Sequence, residues 1–481
     1  MKDKFMNGLL TIAGKMQSNK VLSAIKDAFL DNMPVVILGA FTTLFQFVLC
    51  QQGGVTNPKT GELIYYVSLA NVPGFGWLTK LTPIFSTANY GCMNFMAVAI
   101  CMLVAIHFGE NLGHEKDNTL PMVALASFVT LINTTATGTA KMTGADLIAA
   151  NADTAITVAE DATVNVTYSI SNVVSSTYTS ATGLFVGMVI GLLATFVYVK
   201  LIQSGKLTLK LPDSVPPNVS RSFAVLFPAV ITILLISVIG FAFNSFGMNI
   251  FQVINMIMAP IKAIVTGLPG YLVCVFLMML LWWFGIHGAN VIGSVTTPFL
   301  TSVMAENLAL YQAGTAVSAS GVYFTAEAQA AGYGIIASPF AAVFYCPTGS
   351  GITGGLIIAI MLFSKRDDFK AIAKLAIPCG IFNINEPIIF GIPMVMNPVL
   401  GIPFFLAPLV CVSLGYFVTS IGLCPLMVIN APWTTPCGIL GFLASSGNIM
   451  GAVWQIVIIL GASTLIYAPF VIACNKQAAE A

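Results

Sequence analysis

One carboxylate, Glu386, stands in the otherwise uncharged run Gly380-Ile381-Phe382-Asn383-Ile384-Asn385-Glu386-Pro387-Ile388-Ile389-Phe390-Gly391. A carboxylate accepts protons and hydrogen bonds. At membrane depth it costs roughly 2.5–3.5 kcal/mol even on lenient scales, so such a residue usually faces a cavity and works there. Asn383 and Asn385 flank Ile384, and in extended backbone they would share a face. Each carboxamide offers donors and an acceptor. His287 is the only histidine of the second half and lies between Gly285 and Gly288, where the backbone can unwind. Taken alone, such an imidazole is either a satisfied core residue or a ligand-facing one. Trp282, Trp283 and Trp433 present flat apolar surfaces, although tryptophan near a membrane end also serves as an interfacial anchor.

Pro387, Gly391 and Pro393 follow Glu386 at once and cannot sit comfortably in a continuous helix. Irregular backbone at membrane depth is tolerated only where protein buries it or a water-filled site adjoins it. The polar residues are therefore expected on a broken segment. Membrane depth itself follows from composition. Of 481 residues, 57% are hydrophobic and 8% charged, with a mean hydropathy of +0.91. A soluble domain carries about 25% charged residues. The fold class expected is an all-α polytopic membrane protein, with about 10 transmembrane helices plus re-entrant hairpins and amphipathic helices. A net charge of +1 without a basic stripe argues against nucleic acid as a partner. The ten cysteines form no Cys-x-x-Cys pair and read as small buried apolar residues; neither a metal nor a cofactor is expected.

Residues 1–31 mix lysines with aspartates and contain no uncharged h-region, so no cleavable signal peptide is expected. Phe5, Leu9, Ile12 and Met16 recur at helical spacing, as in an amphipathic helix on the cytoplasmic surface. Apolar stretches of spanning length fall near 33–50, 82–107, 118–135, 182–200, 222–245 and 263–285, then less cleanly near 334–364, 395–419 and 450–473. Pro339, Pro347, Gly349, Gly351, Gly354 and Gly355 break one region, and Pro425, Pro432 and Pro436 another. Interrupted segments point to a transporter's binding site. The first half shows none and reads as scaffold.

Starting inside and alternating places the N-terminal lysines, Lys116, Lys200, Lys206, Lys210, Arg221, Lys365, Arg366, Lys370, Lys374 and Lys476 on the cytoplasmic side. Both termini are then cytoplasmic and the number of spans is even. Residues 133–180 are polar and carry Asp146, Asp153, Glu160 and Asp161, which match no EF-hand spacing. They read as a solvated exterior loop, with β-type composition from 162 to 170 that suits a small hairpin.

Four blocks, in order along nearly the whole chain, carry a family resemblance. They are Leu211-Pro-Asp-Ser-Val-Pro-Pro-Asn-Val-Ser-Arg-Ser-Phe223, Trp282-Trp-Phe-Gly-Ile-His-Gly-Ala-Asn290, Asn383-Ile-Asn-Glu-Pro-Ile-Ile-Phe-Gly391 continuing to Asn397-Pro398, and Ala431-Pro-Trp-Thr-Thr-Pro436. Gly349-Ser350-Gly351 is a weaker fifth. The chain resembles the membrane permease component, enzyme IIC, of the bacterial phosphoenolpyruvate-dependent sugar phosphotransferase system, in the lactose/cellobiose/diacetylchitobiose group. The polar stretch 133–180 is longer than the family usually carries, and 306–340 keeps the pattern only loosely. Either departure bears on substrate preference.

The resemblance implies that a β-linked disaccharide such as cellobiose, diacetylchitobiose or lactose is phosphorylated as it is taken up. A hydroxyl is a poor nucleophile until something accepts its proton, and phosphoryl transfer otherwise depends mainly on positioning. Glu386 reads as the only acid in an apolar block of residues 222–481 and is the candidate base; by resemblance His287 pairs with it around the reacting hydroxyl. Asn383, Asn385 and Asn290 match sugar hydroxyls, and Trp282, Trp283 and Trp433 match a pyranose face. Thr434, with Thr435, either bonds hydroxyls or caps a helix after Pro436, and Gly288 belongs to the same candidate site. The block 211–223 reads as a cytoplasmic linker.

No phosphorylatable Cys or His module is visible, so the resemblance implies a separate enzyme IIB phosphoprotein as donor, on the side of Lys365, Arg366, Lys370 and Lys374. It also implies a scaffold over 1–261 that forms a homodimer in the bacterial cell membrane, and a sugar-binding transport domain over 262–481 that moves as a rigid unit. The competing reading keeps the fold without phosphorylation, as a facilitator or proton-coupled sugar transporter in which Glu386 carries the proton.

Overall fold

A computed structural model describes residues 18–56, 63–65, 68–114, 118–143, 163–207, 223–318, 320–392 and 397–480, with isolated residues (15, 209, 212, 215, 220 and 394) besides. The expected amphipathic helix over Phe5–Met16, most of the linker block 211–223 and the centre of the 133–180 insert lie outside these residues. The chain is an all-α membrane protein. Five described helices are long and apolar enough to cross a bilayer: Lys20–Cys50, Ala181–Gln203, Leu226–Ser245, Val399–Ser420 and Ile449–Asn475. Two bent pairs raise the number to seven, and Thr119–Val129 and Thr353–Phe363 are shorter apolar helices.

The first helix is started by Asn19, whose side-chain oxygen accepts from the Val21 and Leu22 N–H groups at 3.0 and 3.1 Å. Those two donors have no intrahelical partner, and the cap answers them. Helices Lys20–Phe45 and Leu184–Gln203 both pack on Met96–Asn111. Small residues allow the second approach: a Cβ at Gly187 would lie 2.5 Å from the Ala97 carbonyl oxygen, and one at Gly191 would lie 2.7 Å from that of Cys101. In lipid, where burial of apolar surface drives no association between helices, such close packing is what holds them together. One apolar core is confined to residues between Ala97 and Phe251. A larger one draws on residues from Ala28 to Cys474.

The expected hairpin is present. Strand Thr135–Thr143 pairs antiparallel with Thr163–Ser171, so that Thr135 faces Ser171 and Thr143 faces Thr163. Three expectations about the elements need correction. The first half is not free of interruptions, because Gly76–Met93 and Met96–Asn111 meet at a 41° bend. The apolar stretch near 263–285 is not one straight helix: Gly267 is extended, Pro269 follows, and Ile250–Thr266 meets Leu268–Trp283 at 69°. Finally, the sequence reading passed over helix Gly288–Gln312, whose buried face carries Ser294, Thr296, Thr301, Ser302 and Asn307.

The second half is broken as expected. Ser338–Phe344 and Thr353–Phe363 are separate helices, and so are Asp367–Ile381 and Glu386–Gly391. From Ile421 to Gly438 the backbone is irregular. Such backbone must find its hydrogen bonds inside the protein. Leu426 N–H reaches Val322 O at 2.8 Å, and Val428 and Ile429 both donate to Ala444 O. Buried Gln455 accepts from Gly438 and Gly441 N–H at 2.7 Å each and donates to Val343 O at 3.2 Å. The far end of Gly288–Gln312 joins the first half, where Gln312 donates to Thr43 Oγ1 and Asn89 Oδ1.

Candidate functional site

The breaks in the second half meet around one cavity of about 520 Å³. Trp282, His287 and Asn290 come from the turn between Leu268–Trp283 and Gly288–Gln312. Tyr345, Cys346, Gly349 and Ser350 come from the break after Ser338–Phe344. Asn383, Asn385 and Glu386 come from the break after Asp367–Ile381, and Trp433 from the irregular 421–438 stretch.

His287 is the N-cap of its helix. Its Nδ1 accepts from Asn290 N–H at 3.2 Å, which leaves the proton of the neutral ring on Nε2. The Trp282 ring supports it at 4.5 Å between centroids. Gly288 lies behind this turn, not in the cavity wall; a Cβ there would sit 1.9 Å from the Met278 carbonyl oxygen. Trp283 points elsewhere too. Its indole donates to Asn397 O at 3.2 Å and packs on Phe284 and Phe405, so it seats the following helix.

The 345–352 loop is strained. Thr348 (φ 59°) and Ile352 (φ 52°) are β-branched residues in the left-handed region, a conformation that costs of order 1–3 kcal/mol and persists only where surroundings impose it. The surroundings are carboxamides. Asn383 accepts from Thr348 N–H at 2.7 Å and donates to Trp433 O and, at 2.9 Å, to Thr435 O. Asn385 donates to Ser350 O at 2.6 Å and to Thr353 Oγ1 at 3.1 Å. A Cβ at Gly349 (φ 83°) would lie 2.2 Å from the Asn385 side chain, so only glycine closes this turn.

The two asparagines do not share an extended face. Asn383 is itself left-handed (φ 66°), Asn385 begins a helix, and both are 4% exposed. Their amide groups tie three broken segments together. Thr435 contributes its carbonyl to the same tie; Thr434 is half-buried and does not line the cavity. The helix after Pro436 starts at Ile439 without a side-chain cap.

Glu386 opens the short helix Glu386–Gly391, is exposed in the cavity, and is close enough to His287 to act on it electrostatically. It is not the only acid set among apolar helices. Glu306, on Gly288–Gln312, takes Lys262 Nζ at 2.6 Å on both oxygens and Ser302 Oγ at 3.1 Å. In the first half, His107 bonds Asp31 at 2.8 Å.

Sequence reasoning missed Tyr345, Cys346 and Ser350, although Gly349-Ser350-Gly351 marked their loop. Trp282 and Tyr345 both line the cavity, and their polar atoms, Nε1 and Oη, are buried with no hydrogen-bond partner among the described residues. The cavity thus combines indole faces, a carboxylate, an imidazole N–H, the exposed Asn290 and unanswered donors. That set suits a polyhydroxylated ring and can take a proton from one of its hydroxyls.

The family model described as "Phosphotransferase system, EIIC" matches residues 26–408. The chain is similar to the oligo-beta-mannoside-specific EIIC component of Bacillus subtilis (strain 168), at 31% identity over 99% of this chain and 94% of the relative. It is 30% identical to the cellobiose-specific EIIC component of Lactococcus lactis subsp. lactis (strain IL1403), over 97% of this chain and 96% of the relative. Among solved structures, the transporter ChbC, the IIC component from the N,N'-diacetylchitobiose-specific phosphotransferase system, matches with a TM-score of 0.79. Its identity is 27%, over 97% of this chain and 96% of that one.

Proposed function

The chain belongs to the phosphotransferase system EIIC family, the membrane permeases of sugar phosphotransferase systems, and from that premise we propose that its cavity binds a β-linked disaccharide and presents it for phosphorylation. The observation that carries this reading is the convergence of Trp282, His287, Asn290, Glu386 and Trp433, from separate breaks, on one cavity. Glu386 is the general base for the reacting hydroxyl. His287 holds the same hydroxyl through Nε2–H, Asn290 bonds a ring hydroxyl, Trp433 covers a pyranose face, and Trp282 borders the sugar beside the imidazole. Asn383 and Asn385 position the wall, and Trp283, Thr434 and Gly288 support it from outside.

The sugars named for the relatives, oligo-β-mannoside, cellobiose and diacetylchitobiose, share the β linkage, which supports that class for this chain. The phosphoryl donor is an EIIB protein on the cytoplasmic side, where both termini of the chain lie. Residues 1–261 form the dimerising scaffold and 262–481 the moving transport domain; the smaller core, between Ala97 and Phe251, lies within the first unit, and the larger one crosses the division.

The test is direct. Purified protein is screened against β-linked disaccharides by thermal shift, and proteoliposomes are then supplied with phosphorylated EIIB and the sugar that binds. Phosphosugar inside the vesicles is the expected product. Accumulation of free sugar in its place would overturn the reading.

A further inference from the structure

We propose that Tyr345 is a specificity-determining residue: its hydroxyl, with the Trp282 indole N–H, hydrogen-bonds the sugar ring that carries the reacting hydroxyl. The proposal rests on the reading of the cavity as a sugar site. Tyr345 ends the helix Ser338–Phe344, where its backbone N–H donates to Ala341 O at 2.9 Å, and it enters the strained loop that Asn383 and Asn385 hold. Its ring is therefore set by fixed backbone. The residue is 5% exposed and Trp282 is 6% exposed, yet neither polar atom has a partner among the described residues.

Buried polar groups are almost always paired. Two orphaned atoms on residues that line one cavity mark where a ligand supplies the missing partners. The Trp282 ring lies against His287, so the sugar ring these donors reach is the one beside the imidazole and Glu386. An indole N–H only donates, whereas a phenol hydroxyl donates and accepts. The sugar must then offer an oxygen to Trp282 and either role to Tyr345. A site built to bond a hydroxyl rejects the analogue that lacks it, because the protein group is left unpaired. Tyr345 thus selects among sugars that differ at one ring position.

The experiment measures binding of cellobiose and a series of its monodeoxy derivatives by calorimetry, for the unaltered protein and for Tyr345→Phe and Trp282→Phe. The unaltered protein should bind one monodeoxy derivative about 10- to 100-fold more weakly than cellobiose. Tyr345→Phe should bind cellobiose that much more weakly and bind the same derivative as the unaltered protein does. Its melting temperature without sugar should not fall, since the change removes a buried hydroxyl that has no partner among the described residues. Trp282→Phe should lose discrimination at a different ring position. If Tyr345→Phe weakens every derivative by the same factor, or lowers the sugar-free melting temperature, the assignment is overturned while the sugar reading stands. If the unaltered protein binds no β-linked disaccharide, the sugar reading itself has failed.

Discussion

Asn383 does more for this protein than a residue that merely touches sugar. Three backbone groups on two other segments depend on its carboxamide. Asn383→Ala leaves Thr348 N–H, Trp433 O and Thr435 O unanswered, at about 1–3 kcal/mol for the buried Thr348 N–H and less for the two part-buried carbonyls. The expected outcome is a lower melting temperature together with loss of sugar binding, read by differential scanning fluorimetry and calorimetry; a stable variant that has lost only affinity would restore Asn383 to direct contact with sugar. Glu386→Gln tests the chemistry. It keeps size and hydrogen-bonding capacity but removes the proton acceptor, so sugar binding should weaken moderately. Phosphorylation by EIIB should fall by about 10²–10⁴, the usual worth of a general base. Full phosphorylation by the variant would end the base assignment, and phosphosugar from neither protein, with downhill transport intact, would favour proton coupling. At this scale the sequence showed which residues were chemically capable but not whom they met. Glu386 and His287 were legible because a charge or an imidazole in apolar surroundings needs a reason. The asparagines' partners, Thr348, Trp433, Ser350 and Thr353, are decided by tertiary approach, and Tyr345 in an apolar run looks like any core tyrosine.

Elements were legible where proline and glycine interrupted them, as in 338–363 and 381–391, and illegible where polarity was turned inward. Helix Gly288–Gln312 failed the hydropathy reading because its serines, threonines and Asn307 face protein, and hydropathy finds lipid-facing surface. Asn307 bonds both Gly334 N–H and Gly334 O, at 2.9 and 2.7 Å, so its polarity is answered from within. The same helix holds Glu306, paired with Lys262 on Ile250–Thr266, with side chains 34% and 23% exposed. Partial exposure sets the worth of that pair between the ~1 kcal/mol of a surface bridge and the ~3–5 kcal/mol lost on breaking a buried one. Lys262→Met should therefore lower the melting temperature, and the exchange Lys262→Glu with Glu306→Lys should recover most of the loss. No recovery in the exchanged protein would show that the helices are joined by something other than this charge pair.

For the whole molecule, the ties among 345–353, 383–385 and 433–435 join three of the four segments that line the cavity. Spin-label pairs placed between the 282–290, 383–391 and 431–435 blocks should keep their distances in inward- and outward-facing preparations. Distances from any of these blocks to helix Met96–Asn111 should change. A large change within the first set would break the rigid-unit account. The dimer proposal predicts a protein mass of twice 50.8 kDa by light scattering in detergent, and a single mass would refute it. The asparagine ties also bear on how the polypeptide is made. Asn383 is 52 residues ahead of Thr435, and at about 5–20 residues per second the ribosome needs roughly 3–10 s to deliver that partner. Throughout that interval the amide donors of Asn383 should wait outside the lipid for their partners. The stretch from Ser338 to Gly438 should thus be released to lipid as one parcel, after Thr435 emerges. Nascent chains stalled before residue 430 should expose a cysteine at 388, a position fully buried in the folded protein, to aqueous thiol reagents, and chains stalled after 470 should shield it.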